Sequence, residues 1–375
     1  MLKKFVKLTL ILILSYQTPL YSKSTSLNEI NARDLSNYFS GIVAFENQEN
    51  SDALKFFNSS KNLIKKHDPY LKRYVYSLVL EDKVSQSINV IKNSSDKVNI
   101  EFFDAYLFLI IDSLKKNNFK KAEKYLSKIT SLNELDRLHP VIIGILKNFI
   151  YTFSKKEILY NDVNFGNISL ISQALQRCYL KKDSTRSSFL NLINNPNGDY
   201  SRYKFFYANF LIENKKNDEV KDIFDEIEFI DSTLLLSQGK IWVENNEYNK
   251  FTKIFSCNNH NDIVSEFLFL IANLYSSEKD LNKSNFYSNL SYYLNPKFKF
   301  NLALIAENYY ENNEYKKVKR IILNFNDDDQ FYYWFRSKKE AQIIIEEEGV
   351  ENGVNFITSK FKKIKKPNFK ILFDI

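Results

Sequence analysis

The chain has 375 residues, of which 44% are hydrophobic, and it carries a formal net charge of +8. Seven glycines and six prolines are too few for a β-rich or loop-rich fold of this length, because such folds use these residues in their turns. Basic and acidic residues are interspersed instead of lying on one stripe, so the charge pattern does not favour a nucleic-acid-binding protein.

The first residues have the features of a secretory signal peptide. Three lysines within the first seven residues precede an apolar run that ends at Leu14, and a small residue follows at Ser22. Such a signal consists of a basic region, an apolar region too short to span a bilayer comfortably, and a small-residue cleavage site. We therefore expect a signal peptide over 1–22, a linker over 23–33 and a periplasmic mature protein. An uncleaved signal would leave the protein associated with the membrane, through that segment alone.

Polar turns separate apolar helical segments along the rest of the chain. The pentapeptide Glu-Asn-Asn-Glu-Tyr occurs at Glu244–Tyr248 and again at Glu311–Tyr315. Asn and Asp end helices because their side chains bond the local backbone and because they tolerate left-handed dihedrals. Similar turns are found at Lys116–Phe119, Glu213–Asn217 and Ser277–Asp280. Each turn predicts the connection between two helices.

Alignment on these turns gives one closely packed position in each predicted first helix, repeated every 30–35 residues. Eight of the ten positions hold Gly or Ala, and two helices can approach closely only where side chains are short. The ten positions are Gly41, Val75, Ile110, Gly144, Ala174, Ala208, Gly239, Ala272, Ala306 and Ala341. The matching second-helix contacts are Ala53, Ser87, Ala122, Val220, Phe251, Ser284, Val318 and Gly353. This spacing predicts a stack of helical hairpins.

The pattern fails in the middle of the chain. It places Lys147, Lys156 and Arg186 at positions that should be buried, and the residues around 151–169 show no two-helix form. We therefore expect an irregular connection that separates two arrays. The predicted N-terminal array, irregular connection and C-terminal array cover 34–153, 154–169 and 170–375.

The last residues start a new helix that stops after two turns, with Phe369, Leu372 and Phe373 on one face. A solenoid usually shields its last unit with a polar capping helix. We therefore expect the C-terminal array to be truncated and the chain to be a fragment of a longer gene product.

The stretch 265–296 carries the repeat most completely. Ala272 lies on its first helix, Ser284 and Ser291 lie on its second, and Pro296 closes the unit. This spacing resembles the tetratricopeptide repeat (TPR) family, whose helix–turn–helix of ~34 residues stacks into a superhelix. The resemblance implies an all-α fold, an α-solenoid or superhelix of about ten stacked units that is irregular in the middle. The chain is similar to exported TPR proteins of Gram-negative bacteria, which implies a scaffolding role.

Residues that would carry chemistry are few. Two units separate Cys178 from Cys257 in a solenoid, so we expect both cysteines to be free. Cys257-Asn-Asn-His260 has the spacing of half a metal site, but no second Cys/His pair follows, which favours a surface turn. The sequence has no phosphate-binding loop and no nucleophile elbow. We expect no catalytic residue, no metal and no cofactor.

The exposed faces of the first helices should together form a concave surface that suits a peptide or another protein. Counted from the closely packed positions, that groove is predicted to include Tyr38, Phe45, Phe205, Asn209, Ile212, Phe269, Asn273 and Tyr310. Aromatic residues there are candidate anchors, with ordinary packing between helices as the alternative for each. Some TPR domains clamp a carboxylate with Lys and Asn. Asn209 and Asn273 match that Asn, but Phe205 and Phe269 stand in the Lys place, which argues against this mode.

The leading hypothesis is an exported, non-catalytic scaffold that binds a protein or peptide of unknown identity through its concave face. Two alternatives stay open. One is an α-superhelical accessory region of a cell-wall-active enzyme, similar to those of lytic transglycosylases, whose catalytic domain is absent from this chain. The other is a membrane-tethered envelope assembly factor.

Overall fold

The computed structural model describes residues 31–94, 100–132, 136–159, 163–230, 232–325, 329–364 and 367–375. The predicted signal peptide and most of the predicted linker lie outside the described residues. Within these ranges the chain forms α-helices and short 3₁₀ turns, with no β-strand. None of the helices in the described ranges has both the length and the apolar character that a membrane crossing requires.

Twenty α-helices follow one another in the described part of the chain. The first nine are α1 (Ala32–Glu46), α2 (Asn50–Ser59), α3 (Asp68–Leu80), α4 (Val84–Ser94), α5 (Phe103–Lys115), α6 (Phe119–Ile129), α7 (His139–Lys155), α8 (Asn167–Tyr179) and α9 (Thr185–Ile193). The next five are α10 (Tyr203–Glu213), α11 (Asn217–Asp225), α12 (Leu234–Glu244), α13 (Asn249–Ile254) and α14 (His260–Ser277). The last six are α15 (Leu281–Leu294), α16 (Leu302–Glu311), α17 (Tyr315–Ile322), α18 (Gln330–Glu348), α19 (Val350–Phe361) and α20 (Phe369–Phe373).

The helices form an α-solenoid of ten TPR-like units, as the sequence predicts. In the described part of the chain, nine units are helix pairs, from α1–α2 to α18–α19, and the fourth contains α7 alone. Most helices pack on the helix before and the helix after them, while the short α13 packs on α10. The ten closely packed positions fall on the ten first helices, and all except the half-buried Gly144 are buried.

Two glycines show why these positions hold small residues. A Cβ atom at Gly41 would lie 2.6 Å from the ring of Phe57 on α2, and one at Gly239 would lie 2.8 Å from the ring of Phe224. Both rings are fully buried, so they have no room to withdraw. The aromatic ring of one helix therefore packs directly on the backbone of the other.

The turn inside each of the ten units contains a residue with positive φ. In the first nine units this residue is not a glycine: Gln48, Asp82, Asn117, Lys156, Lys181, Lys215, Asn246, Lys279 and Asn313. In the tenth unit it is Gly349. Asn117, Asn246 and Asn313 belong to the polar turns predicted from the sequence, and Asn is among the residues that adopt this conformation most readily. The left-handed residue ends the first helix and turns the chain back toward the second.

The fourth unit is the irregular one. Helix α7 continues to Lys155, and the described residues between it and α8, 156–159 and 163–166, contain no second helix. Phe165 from this connection packs on α7, where a Cβ at Gly144 would lie 2.5 Å from its ring. A single aromatic side chain thus takes the place of the missing helix. Lys147 and Arg186, which break the predicted pattern, are both exposed.

The second array packs against the first helices of the first array. Helix α15 contacts α3, and α14 contacts α5, α7 and α8. The side-chain amide of Asn289 donates to the carbonyl of Val79 over 2.8 Å, and the hydroxyl of Tyr309 donates to the carbonyl of Leu80 over 2.7 Å. Both carbonyls lie at the end of α3, and the Val79 carbonyl also accepts the backbone N–H of Asp82. The Leu80 carbonyl is one of those at a helix end that need a partner from outside the helix, which Tyr309 supplies. The superhelix closes on itself, and a single hydrophobic core includes residues of both arrays.

This closure overturns the prediction of two free cysteines. Cys178 and Cys257 form a disulfide, with their Cα atoms 5.6 Å apart. Cys178 lies near the end of α8, and Cys257 lies in the turn that precedes α14. Because α14 packs on α8 across the intervening units, residues far apart in sequence are brought within bonding distance.

The prediction of a surface turn at Cys257–His260 is correct only for its middle residues, Asn258 and Asn259, which are exposed. Both Cys257 and His260 are buried. The Nε2 atom of His260 lies 2.8 Å from the carbonyl oxygen of Leu114 at the end of α5. The turn is therefore part of the contact between the arrays.

The C-terminal helix α20 docks on α18. Ile371 is fully buried beside Phe331 and Trp334, whereas Phe369 and Phe373 are exposed. The indole Nε1 of Trp334 donates to the carboxylate of Asp374 over 2.8 Å. The predicted face of Phe369, Leu372 and Phe373 is therefore the exposed face of α20. Ile371, on the opposite face, makes the contact with α18.

Candidate functional site

A cavity of about 910 Å³ lies between the first helices of the N-terminal array and helix α15. We call it the inter-array cavity. Its lining includes Phe45 from α1, Lys72 and Tyr76 from α3, Asp104 from α5, Asp136 just before α7, and Phe286 from α15. It is the part of the concave face that α15 leaves open. The lining mixes aromatic rings with charges of both signs.

Aromatic rings form one wall of the cavity. Phe45 meets Tyr76 edge to face with 5.9 Å between ring centroids, and Tyr76 stacks on Phe286 at 4.7 Å. Tyr76 follows the closely packed Val75 of α3, so the packing of α3 on α4 turns its side chain toward the concave side. Burial and the nearby Asp104 carboxylate raise the pKa of Tyr76 well above its ordinary value, so the hydroxyl is neutral.

Lys283 ties α15 to the N-terminal array at the cavity edge. Its Nζ lies 2.6 Å from Asp136 and 3.3 Å from Asp280, the residue that caps α15. The hydrogen bond from Lys283 holds the pKa of Asp136 below its ordinary value, against the effect of burial. Burial works to lower the pKa of Lys283, but its bonds to the two carboxylates raise it. The charges of Lys283, Asp136 and Asp280 are therefore paired with one another.

Asp104 behaves differently from its neighbours. It lies in the first turn of α5 and is half-buried. Burial raises its pKa to about 6, although the positive charges of Lys72 and Lys283 oppose that rise. Within the described residues, neither lysine forms an ion pair with the Asp104 carboxylate.

His139 at the start of α7 also lines the cavity. Its Nδ1 accepts a hydrogen bond from the backbone N–H of Asp136 over 2.9 Å, and its ring stacks on Phe103 at 3.5 Å. Burial lowers the pKa of His139 to about 4, so the imidazole is neutral at neutral pH. It contributes a flat, uncharged wall to the cavity.

The chemistry of the cavity is that of a binding site. It offers aromatic faces, a half-buried carboxylate in Asp104 and an exposed cation in Lys72. In the ranges that the structure describes, no three His, Cys, Asp or Glu side chains converge as metal ligands.

The structure buries four of the eight predicted groove residues, namely Tyr38, Phe205, Asn209 and Phe269. Phe205 stacks on Phe251 at 4.9 Å, and the side-chain amide of Asn209 donates to the carbonyl of Phe255 over 2.7 Å. The expectation that these four lie on an exposed face is wrong. Helices of its own array cover Tyr38, whereas short loops and neighbouring helices of the second array cover the other three residues.

The other four predicted residues are partly exposed, but they do not form one surface. Phe45 lines the inter-array cavity. Asn273 donates to the carbonyl of Phe269 on its own helix, and Tyr310 lies with its ring 4.7 Å from Nζ of Lys339. Ile212 is half-buried on α10. A binding role for these residues stays a prediction.

Some cavity residues were within reach of the sequence pattern. The predicted groove residues lie three before, one after or four after the closely packed position. The same offsets from Val75 give Lys72 and Tyr76, which both line the cavity. Lys283 and Phe286 gave no such signal, because they lie on a second helix and reach the cavity only through closure of the superhelix.

No protein-family model matches this chain, and no curated protein matches it in sequence. Among solved structures it is similar to the crystal structure of yeast Tom70, with 12% sequence identity and a TM-score of 0.26. The alignment covers 88% of this chain and 77% of the Tom70 chain. The repeat architecture described above rests on helix order, packing and turn conformation.

Proposed function

We propose that this protein is an exported helical-repeat scaffold of the TPR type, which binds a protein or peptide at the inter-array cavity and performs no catalysis. The observation that carries the proposal is the cavity itself. It lies on the concave side of the first helices, where repeat proteins present their binding surface. Its aromatic and charged lining is typical of a site that anchors side chains of a partner.

Site-specific photo-crosslinking tests the binding site. Lys72 is exposed at the cavity mouth, so replacing it with p-benzoylphenylalanine does not disturb the core. Illumination of cells that make this variant should give a discrete crosslinked adduct. Lys83, an exposed lysine in the turn after the same helix and outside the cavity lining, is the matched control position.

An adduct that forms at position 72 and is lost when Tyr76→Ala is added supports the site. Equal adducts from positions 72 and 83, or none from position 72, would remove the cavity from the proposal. Thermal unfolding of the Tyr76→Ala variant shows whether the loss of the adduct reflects binding or loss of fold.

The disulfide between Cys178 and Cys257 supports export. Disulfides persist in oxidising compartments such as the bacterial periplasm and are rare where thiols are kept reduced. We expect a periplasmic fraction whose cysteines resist alkylation until a reductant is added, and a mature chain that starts near residue 23. Free thiols in the cytoplasmic fraction, or a retained Met1 in the membrane pellet, would contradict the proposed location.

A further inference from the structure

The chain holds several of its own lysines in one recurring way, with a carboxylate on one side and an aromatic ring on the other. Nζ of Lys317 lies 3.1 Å from the Glu81 carboxylate and 4.8 Å from the centre of the Tyr309 ring. The same combination holds Lys283 with Asp136 and Tyr275, Lys250 with Asp329 and Trp242, and Lys339 with Glu307 and Tyr310. The carboxylate supplies the charge, and the electron-rich ring face adds a cation–π attraction.

Asp104 and Tyr76 present this combination to the inter-array cavity. Both residues line the cavity, and the Asp104 carboxylate is close enough to Tyr76 to raise the pKa of its hydroxyl. Phe286 stacks on one face of the Tyr76 ring, and Phe45 meets that ring edge to face. Unlike the four carboxylates above, Asp104 makes no ion pair with a lysine of the described residues. The arrangement matches a basic side chain that another molecule provides.

The mouth of the cavity has the opposite charge. Lys72 is exposed there, and Arg73, which also interacts with the Tyr38 hydroxyl, lies 3.4 Å from the exposed carboxylate of Glu46. A ligand with positive charge alone would be repelled by these cations on its way to Asp104. A ligand that carries an acidic group beside its basic group would meet complementary charge at the mouth of the cavity, from Lys72, and inside it, from Asp104.

We propose that the inter-array cavity binds a partner peptide segment in which a lysine or arginine is adjacent to an acidic residue. The basic group lies between the Asp104 carboxylate and the Tyr76 ring, and the acidic group lies at Lys72. This inference rests on the proposed function and names the chemistry of the partner at that same site.

The ionisation of Asp104 sets a pH dependence for this binding. Its carboxylate is charged above its pKa of about 6 and accepts the cation, and it loses that charge below this pH. The other groups that face Asp104 are Lys72 on α3, Lys283 and Tyr287 on α15, Tyr275 on α14, and Asp136 before α7. Asp136 is paired with Lys283, and the tyrosines are neutral, so Asp104 is the group that changes charge near pH 6.

Three synthetic peptides test the inference with the full chain. The probe is Ac-Gly-Phe-Lys-Glu-Gly-NH₂, and its variants replace Lys by norleucine or Glu by Gln. Affinities are measured by saturation-transfer NMR and calorimetry at pH 7.5 and at pH 5. We expect the lysine peptide to bind about tenfold more tightly than the norleucine peptide at pH 7.5, the effect of one charge-assisted hydrogen bond. That preference should shrink at pH 5 and disappear in Asp104→Asn, which keeps the side-chain shape.

The remaining arms separate the roles of the two charges. Lys72→Gln should remove the preference for Glu over Gln while keeping the preference for lysine. Asp222→Asn, which removes an exposed carboxylate on α11, is the control for a change in net charge and should leave all affinities unchanged.

Binding without a preference for lysine, or a preference that persists in Asp104→Asn, overturns this inference and leaves peptide binding at the cavity intact. Failure of all three peptides to bind also overturns the inference. The crosslinking at position 72 decides the proposed function separately, because it does not depend on the chemistry of the peptide.

Discussion

At the scale of single residues, the fold depends on glycines, which have no side chain, as much as on the large residues that pack against them. Gly41 and Gly239 allow an aromatic ring to pack on a helix backbone, a contact that a Cβ atom would block. The sequence pattern identified these positions because a rare residue recurs at a fixed interval.

The substitution Gly41→Val tests this contact. The added side chain would overlap the buried ring of Phe57, and we expect the free energy of unfolding to fall by about 1–3 kcal/mol, the usual cost of overpacking. Urea denaturation measures the change. Ser36→Val places the same β-branched residue on the exposed side of the same helix and is the matched control. Equal effects of the two substitutions would mean that helix propensity, not packing, sets the cost.

A second residue-scale prediction concerns His139 and pH. Its pKa is about 4 in the folded protein and about 6.5 in an unfolded chain, so the unfolded state takes up the proton first as the pH falls. The stability that the neutral imidazole contributes above pH 6.5 is therefore lost progressively toward pH 4. Between pH 7 and pH 5 the full pKa difference corresponds to about 2 kcal/mol, and because the ring is partly exposed, solvent screening lowers the expected loss to about 1 kcal/mol.

His139→Asn removes this titration and keeps an acceptor for the Asp136 N–H. Its free energy of unfolding should fall less than that of the wild type over the same pH range, by that same amount. Chemical denaturation at a series of pH values gives the comparison, with His67→Asn as the control for loss of an imidazole outside the cavity. Identical pH dependence in wild type and His139→Asn would refute the prediction.

At the scale of elements, one unit is built in nearly the same way ten times. A first helix, a left-handed turn residue and a second helix recur from α1 to α19, and α7 is the exception. Sequence reasoning found the exception from charged residues at buried positions. It could not find that Phe165 takes the place of the second helix, because the residues around Phe165 follow no periodic pattern.

The disulfide joins two elements that the chain order keeps apart. It links Cys178 at the end of α8 to Cys257 before α14, across a sequence separation of 79 residues. Closing a loop of that length limits the unfolded chain, so Cys178→Ser with Cys257→Ser should lower the free energy of unfolding by about 2–5 kcal/mol.

Urea denaturation with and without reductant checks this prediction. The wild type should lose stability when refolded in reductant, whereas the double variant should be unaffected by it. If the wild type is equally stable under both conditions, the disulfide does not contribute to the free energy of unfolding.

At the scale of the whole molecule, closure of the superhelix decides where the open surface lies. Helices α14 and α15 occupy much of the concave side of the first array, and the inter-array cavity is what remains. Hydrogen bonds from side chains of the second array to the carbonyls that end α3 and α5 hold this arrangement. Without Tyr309, the buried Leu80 carbonyl would lack a partner, whereas the Val79 and Leu114 carbonyls also accept backbone N–H groups of the turns that follow them.

Tyr309→Phe tests the closure. The change keeps the ring and removes only the hydroxyl that donates to the Leu80 carbonyl. Leaving that buried acceptor without a partner should cost about 1–3 kcal/mol of unfolding free energy and speed hydrogen exchange at the end of α3. Tyr315→Phe removes a hydroxyl whose bond to Asn313 is exposed and should change little. If the two variants behave alike, the bond to Leu80 does not hold the arrays together.

The sequence by itself determined the all-α class, the ten units and the residues that let each helix pair approach. Those features depend on contacts between residues fewer than about forty positions apart, and such contacts leave a period that can be counted. Lys72 and Tyr76 could be found by the same counting, since they share the register of their helix.

Only the tertiary structure decided the Cys178–Cys257 bond, the burial of Phe205 and Asn209, and the meeting of Asp104 with α15. These depend on the pitch at which the units wind around one another. That pitch is the sum of small rotations between neighbouring units, each set by details of side-chain packing, so it appears in no single repeat. The residues that closure of the superhelix brings together lie on units far apart in the chain, so no regular spacing in the sequence connects them.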